Sequence, residues 1–178
     1  GLPVGVERSG VKSISTPQLF RPIADGLSEA ELLQKHLDQL EATIGSFADQ
    51  GGFAGMMLCS ILANEGLPTP PARWFAEATA MVKDAGGLII ADEVQAGFAR
   101  SGSWWGYEVS DFTPDVVCMG KPMGNGFPVS AMAASHEMVT KFRETHRYFN
   151  TFASSPLQAA AGSAVLDEII DRDLVHQV

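Results

Sequence analysis

Short apolar segments alternate with helical patterns along this chain, and the alternation is the strongest constraint on its fold. The segments lie at Phe53–Leu62, Leu88–Asp92 and Asp115–Gly120. Each is apolar almost throughout, which is typical of strands that are buried on both faces. Strands that alternate with helices favour a sheet covered by helices on both faces. We therefore predict an α/β fold with a mostly parallel sheet, and a further strand at Pro128–Ser135 in an antiparallel or edge position.

The predicted helices carry start signals in the sequence. Ser28 and Glu31 form a capping box, in which each side chain accepts the backbone N–H of the other residue. Leucine and other apolar residues then repeat at helical spacing: Leu33, Leu37, Leu40, Ile44 and Phe47. Thr69 is expected to cap a second helix with Pro70 or Pro71 in its first turn. Ser154 or Ser155 is expected to cap a last helix that begins with Pro156.

Composition indicates a soluble, cytoplasmic globular protein and argues against several partners. The chain has 178 residues, of which 46% are hydrophobic and 19% charged, as in ordinary globular domains. Its net charge of −9 argues against nucleic acid, because phosphate binding needs a basic surface. No apolar run approaches the length of a membrane span. The histidines and cysteines are scattered, so no metal site is expected.

Two opposite charges come at the ends of predicted strands. Asp92 closes one strand, and Lys121 follows another. Because ligands of open parallel sheets bind outside the carboxyl ends of the strands, both charges are expected at one edge of the sheet. Lys121 is also the only formally charged residue between Val116 and His136. This neutral segment is expected to desolvate the amine.

A carbonyl-capturing lysine explains this segment better than a phosphate loop does. A P-loop would need glycine at Asp115 and serine or threonine at Pro122, and no dinucleotide fingerprint joins a strand to a helix. A desolvated lysine amine is nucleophilic near neutral pH. Pro122 disfavours the α conformation for Lys121. Asp92 offers a carboxylate that can keep a pyridine nitrogen protonated, so that the ring withdraws electrons.

Three motifs together resemble the class III (omega-type) aminotransferases, which use pyridoxal 5′-phosphate on the aspartate-aminotransferase-like fold (fold type I). They occur in the order and at about the spacing of that family: IADEVQAGFARSG at Ile90–Gly102, MGKPMGNGFPVSA at Met119–Ala131 and YFNTFASSPLQAAAG at Tyr148–Gly162. The resemblance implies that Lys121 forms the Schiff base with the cofactor and moves the substrate proton. Asp92 matches the partner of the pyridine nitrogen, Val94 the residue packed on the ring, and Gln95 the side chain near the phenolic oxygen.

Two further positions take their roles only from the resemblance. Thr151 matches a threonine that reaches the cofactor phosphate of a neighbouring subunit, which implies a homodimer or a larger assembly. Glu65 matches a glutamate near the substrate. Ser60 stands where many members have glutamate, which argues against the two-carboxylate arrangement of the ornithine- and GABA-type enzymes. The pattern is closer to the alanine–glyoxylate type 2 and phosphoethanolamine phospho-lyase-like branch.

The resemblance also implies what the 178 residues comprise. Chains of this family are more than twice as long, so residues 1–178 are expected to be the central and C-terminal part of the large cofactor-binding domain. The phosphate-binding cup and the small C-terminal domain of the family have no counterpart in these residues. Since backbone amides of that cup hold the phosphate, we expect the isolated chain to bind cofactor poorly and to be inactive.

The implied activity is transfer of an amino group between an amine or amino acid and a 2-oxo acid or aldehyde. Other pyridoxal-phosphate reactions use the same lysine and aspartate, so phospho-lyase, aminomutase, racemase and decarboxylase activities stay open. A non-catalytic folded fragment is the third alternative.

Overall fold

The computed structural model describes residues 10–153 and 155–178. The chain divides into two compact units, which are described separately below. The first contains the residues up to Met56 together with Leu62–Ile89, and the second contains Met57–Ile61 and Ile90–Val178. Within the part of the chain that is described, no helix is both long and apolar enough to cross a membrane.

The first unit is built on two helices that pack against each other, α1 (Glu29–Gly45) and α2 (Trp74–Asp84). The predicted capping box at the start of α1 is confirmed, with the Ser28 N–H donating to Glu31 at 2.8 Å and the Glu31 N–H to Ser28 Oγ at 3.4 Å. The buried face agrees with the prediction in part, since Leu37 and Leu40 are buried but Leu33 and Ile44 are only half-buried. Its members are Leu32, His36, Leu37 and Leu40.

The predicted start of α2 is wrong. The helix begins at Trp74, and its N-cap is Arg73, whose backbone is left-handed at φ 67°. The prolines lie in a turn before the helix, where the carbonyl of Pro71 accepts the N–H of Trp74 at 3.1 Å. Tertiary packing explains the shift, because α2 buries an apolar face from its first residue onward: Trp74, Phe75, Ala78, Thr79 and Val82.

A buried histidine on α1 makes the stability of the first unit depend on pH. His36 is 2% exposed, and its Nε2 has no hydrogen-bond partner among the described residues. Burial lowers the pKa of His36, because the charged form loses its hydration. The unfolded chain therefore binds a proton near pH 6.5 that the folded chain does not, so stability is expected to fall as the pH drops below that value.

Replacing His36 by leucine is expected to reduce the dependence of the unfolding free energy on pH. The wild type should lose up to about 1.4 kcal/mol of unfolding free energy per pH unit below pH 6.5, and H36L should lose less. Urea unfolding of both proteins at pH 7 and pH 5 measures the difference. The exposed His136 provides the matched control, H136Q, which should behave like the wild type. Equal pH dependence of H36L and the wild type would contradict the prediction.

In the described residues of the second unit, the main feature is a four-stranded sheet of order β1-β2-β3-β4. The strands are β1 (Gly55–Cys59), β2 (Leu88–Asp92), β3 (Val116–Met119) and β4 (Ala131–Ala134), and the first residues of β1 and β2 are counted with the first unit. β2 and β3 are parallel, with Asp92 opposite Cys118. β3 and β4 are antiparallel. The predicted α/β class with a mostly parallel sheet is thus confirmed.

Helices of the second unit follow the strands. A short helix that the sequence did not predict, α3 (Gly106–Val109), precedes β3. α4 (His136–Thr145) begins after Ser135, and α5 (Pro156–Asp171) begins after Ser155, whose Oγ accepts the N–H of Gln158 at 3.3 Å. The predicted cap before Pro156 is therefore confirmed. α5 packs against the 3₁₀-helix Lys121–Gly124.

Candidate active site

Asp92 and Lys121 come at the same edge of the sheet because their strands are parallel neighbours. Asp92 is the last residue of β2 and lies opposite Cys118 in β3. Lys121 follows Cys118 by three residues, just beyond the end of β3. The carboxyl ends of these two strands thus bring an acid and an amine to the side of the sheet where such folds bind ligands.

The amine of Lys121 has a neutral hydrogen-bond partner. Its Nζ donates to Oε1 of Gln95, and the two atoms are 2.5 Å apart. Lys121 is exposed, so the neutral segment around it does not desolvate the side chain as the sequence suggested. The absence of other charges in that segment does not keep solvent away, because the residues after it are themselves largely exposed.

The backbone around Lys121 also differs from the expectation drawn from Pro122. Lys121 opens the 3₁₀-helix Lys121–Gly124, with the proline in its first turn. Gly120, just before it, is buried against Val94, and a Cβ at this glycine would lie 3.3 Å from Val94 Cγ1. The glycine thus allows the backbone before the lysine to lie close to the valine that follows β2.

Within the described residues, only one carboxylate oxygen of Asp92 takes part in a hydrogen bond. Oδ1 accepts the backbone N–H of Val94 at 3.0 Å, and no described residue donates to Oδ2. Burial raises the pKa of Cys118, and the negative charge of Asp92 raises it further. The carboxylate can therefore accept a hydrogen bond from a cationic or N–H group placed at the strand end.

Glu93 is a buried acid that the sequence analysis missed. Its side chain is completely buried, and both oxygens accept hydrogen bonds. Oε1 accepts from the hydroxyl of Ser60 and from the N–H of Tyr107 at 3.0 Å, and Oε2 accepts the N–H of Gly106 at 2.7 Å. A signal was present in the sequence, because successive residues at the end of a strand point to opposite faces, and Glu93 continues the alternation that buries Ile89 and Ala91. Glu93 therefore had to point inward.

Thr151 and Glu65 lie on segments other than the ends of β2 and β3. Thr151 is exposed in the irregular segment between α4 and α5. Glu65 ends the 3₁₀-helix Ala63–Glu65 of the first unit and is half-buried. The structure thus brings together Asp92, Val94, Gln95 and Lys121.

A cavity of about 750 Å³ lies on the α5 side of Lys121. Its walls include Phe98, Arg100, Lys121, Ala161, Ile169 and Arg172. Neither Asp92 nor Val94 lines it.

The fold is that of the fold type I pyridoxal-phosphate enzymes. The structure of a phospholyase from Arthrobacter in complex with phosphoethanolamine superposes with a TM-score of 0.84 at 35% identity, and the match covers 98% of this chain and 40% of that one. The chain belongs to the class III aminotransferases, since the family described as Aminotransferase class-III matches residues 7–178. The resemblance drawn from the three sequence motifs is thus confirmed.

Two curated relatives place the chain within that family. It is 41% identical over 125 residues to the Drosophila melanogaster protein named alanine–glyoxylate aminotransferase 2-like, covering 69% of this chain and 25% of the relative. It is 40% identical over 130 residues to ethanolamine-phosphate phospho-lyase homolog 1 of Caenorhabditis elegans, covering 71% of this chain and 28% of the relative. The matched residues therefore cover less than a third of the length of these relatives.

Proposed function

We propose that the whole protein carrying these residues is a pyridoxal-phosphate-dependent aminotransferase. It would move an amino group from an amine or amino acid to a 2-oxo acid or aldehyde, and residues 1–178 would belong to its large cofactor-binding domain. The observation that carries the proposal is the amine–amide–carboxylate arrangement at the ends of β2 and β3. There Lys121 contacts Gln95, and Asp92 keeps one oxygen open to a ligand.

The side chains present fit this cofactor chemically. Bound pyridoxal phosphate supplies an aldehyde and an electron-withdrawing ring. Lys121 is an accessible primary amine that would attach to this aldehyde, and as a free amine it would hold and move the substrate proton. Asp92 Oδ2 would accept the hydrogen bond of the ring nitrogen, and Val94 would pack on the ring face. Gln95 would orient the Lys121 amine and contact the phenolic oxygen.

We also propose roles for Thr151 and Glu65. An exposed threonine on an irregular segment can reach a phosphate in a second subunit, so we propose a homodimer as the catalytic unit. Glu65 is proposed as a contact to the substrate. A cytoplasmic location stays a prediction from the sequence.

A phospho-lyase is the second candidate, on a specific observation. Both the Caenorhabditis elegans relative and the Arthrobacter structure carry phospho-lyase names, and the latter is a complex with phosphoethanolamine. Lys121 and Asp92 would serve either reaction, as they would an aminomutase, a racemase or a decarboxylase.

A half-reaction assay on the whole protein distinguishes these functions. We expect an amino donor such as alanine, added alone, to convert the bound cofactor to its pyridoxamine form, which is followed by absorbance and by mass spectrometry. A phospho-lyase would instead release inorganic phosphate from phosphoethanolamine without accumulating that form. Release of phosphate with no pyridoxamine form would favour the second candidate. Failure to bind the cofactor would favour a non-catalytic protein.

A further inference from the structure

We propose that Glu93 is a positioning residue that holds Gln95 against the Lys121 amine. The inference rests on the proposed function for its significance, but the hydrogen bonds that support it do not depend on that function. Glu93 is 0% exposed, and among residues 10–153 and 155–178 every hydrogen bond to its carboxylate comes from a neutral donor of the second unit. Such a group acts on the site through its neighbours and has no access to substrate.

The carboxylate joins segments that are distant in sequence. Ser60, immediately after β1, donates its hydroxyl to Oε1, and the carbonyl of Ser60 accepts the hydroxyl of Ser110 at 2.5 Å. Gly106 and Tyr107, at the start of α3, donate their backbone N–H groups. The backbone N–H of Glu93 donates to the carbonyl of Cys118 in β3 at 2.9 Å. One residue thus links the ends of β1, β2 and β3 with the start of α3.

The segment closed by these bonds carries the site residues. Val94 and Gln95 directly follow Glu93, and the chain returns to the carboxylate at Gly106. The backbone of Gly106 packs tightly against its neighbours. A Cβ at this position would lie 2.5 Å from the Cβ of Ala96 and 2.9 Å from Ser60 Oγ. We call the segment from Glu93 to Gly106 the turn. Its hydrogen bonds and packing fix the position of Gln95, and the Lys121–Gln95 hydrogen bond depends on that position.

Stability alone does not account for a buried acid at this place. Removing a carboxylate from water is costly, and an apolar side chain of similar volume often gives equal or greater stability. Hydrogen bonds are directional, which apolar contacts are not. Each donor therefore favours a narrow range of distance and angle for the carboxylate. Glu93 uses both oxygens in this way, so it specifies where the turn begins and where it ends.

The test measures the reactivity of Lys121 in the cofactor-free 178-residue chain. Reductive methylation with formaldehyde, located by peptide mass spectrometry, gives a rate for each lysine. Loss of the Gln95 hydrogen bond in Q95A should raise the Lys121 rate about fivefold, as expected for one net hydrogen bond. E93Q, which replaces an acceptor oxygen by an NH₂ group, should raise it by a similar factor. If Glu93 acts through Gln95, the double variant should be no faster than Q95A.

Matched variants separate positioning from general loosening. Glu108 accepts the backbone N–H of Trp105 at 3.1 Å at the same end of the turn, but it is exposed, so E108Q should leave the Lys121 rate within twofold. A folded E93Q with the wild-type Lys121 rate, or single effects that multiply in the double variant, would overturn the proposal. If E93Q does not fold, the S60A variant tests the proposal, because it removes one hydrogen-bond donor to the Glu93 carboxylate and keeps Glu93 itself. An unchanged Lys121 rate in S60A then overturns the proposal.

A second measurement keeps this inference distinct from the proposed function. In the whole protein, E93Q should weaken cofactor binding about tenfold, measured by titration of the visible absorption band, and E108Q should not. If the wild type binds no cofactor, the proposed function fails while the methylation rates still test Glu93. If the cofactor binds equally to the wild type and E93Q and the rates are equal, only the inference about Glu93 fails.

Discussion

Replacing Lys121 by alanine is expected to abolish covalent attachment of the cofactor and to slow amino transfer by at least about 10³-fold in the whole protein. The reason is that Lys121 supplies both the nucleophilic amine and the group that moves the substrate proton. The loss should be seen as disappearance of the visible absorption band. Borohydride reduction followed by peptide mass spectrometry should find the cofactor on the Lys121 peptide of the wild type and on no peptide of K121A.

Two controls show whether the effect belongs to this amine. K121R keeps the positive charge beside Gln95, but a guanidinium does not form the Schiff base, so K121R should resemble K121A. Lys141 is an exposed lysine on α4, and K141A should keep the absorption band and the activity. A cofactor that stays covalently attached in K121A would refute the assignment of Lys121.

Replacing Asp92 by asparagine is expected to slow amino transfer by about 10²–10³-fold while the cofactor still attaches to Lys121. Asparagine is nearly the same size, but it lacks the negative charge that keeps a ring nitrogen protonated and electron-withdrawing. The variant should therefore retain the visible absorption band and lose turnover. Activity of D92N within threefold of the wild type would contradict this role.

The same variant has a readout that needs no cofactor. The negative charge of Asp92 contributes, after burial, to the raised pKa of the Cys118 thiol, so D92N should lower that pKa. The pH dependence of Cys118 alkylation in the 178-residue chain measures it. Asp111 is an exposed acid before β3, and D111N is the matched control that should leave the thiol unchanged. An unchanged pKa of Cys118 in D92N would mean that the carboxylate does not face this thiol.

Elements with a local cause were predictable from the sequence. β2 occupies Leu88–Asp92 as predicted, and the Ser28–Glu31 box and the Ser155 cap form as expected. Each depends on residues within a few positions of one another. β1 is shorter than the apolar run Phe53–Leu62 that predicted it, because the chain leaves the sheet after Cys59 and Leu62 adopts a left-handed backbone at φ 48°. The hydroxyl of Ser60, just after the strand, donates a hydrogen bond to Glu93, 33 positions away in the sequence.

The candidate active site was likewise predictable from the sequence only in part. The sequence singled out Asp92, Val94, Gln95 and Lys121, and parallel pairing brings them to one edge of the sheet. The exposure of Lys121 and its place in a 3₁₀-helix were not predictable from its neutral neighbours. Solvent access depends on which other segments cover a side chain, and this information is not contained in the local pattern.

The sequence by itself determined the α/β class, the bounds of β2, the caps of α1 and α5 and the family, because these depend on periodicity, on short-range capping and on contiguous motifs. Only the tertiary structure decided which acids are buried and what they bind. Asp92 and Glu93 are adjacent in the chain, yet one keeps an oxygen open at the strand end and the other is enclosed by Ser60, Gly106 and Tyr107. The physical reason is that the donors to Glu93 come from segments that only folding brings together.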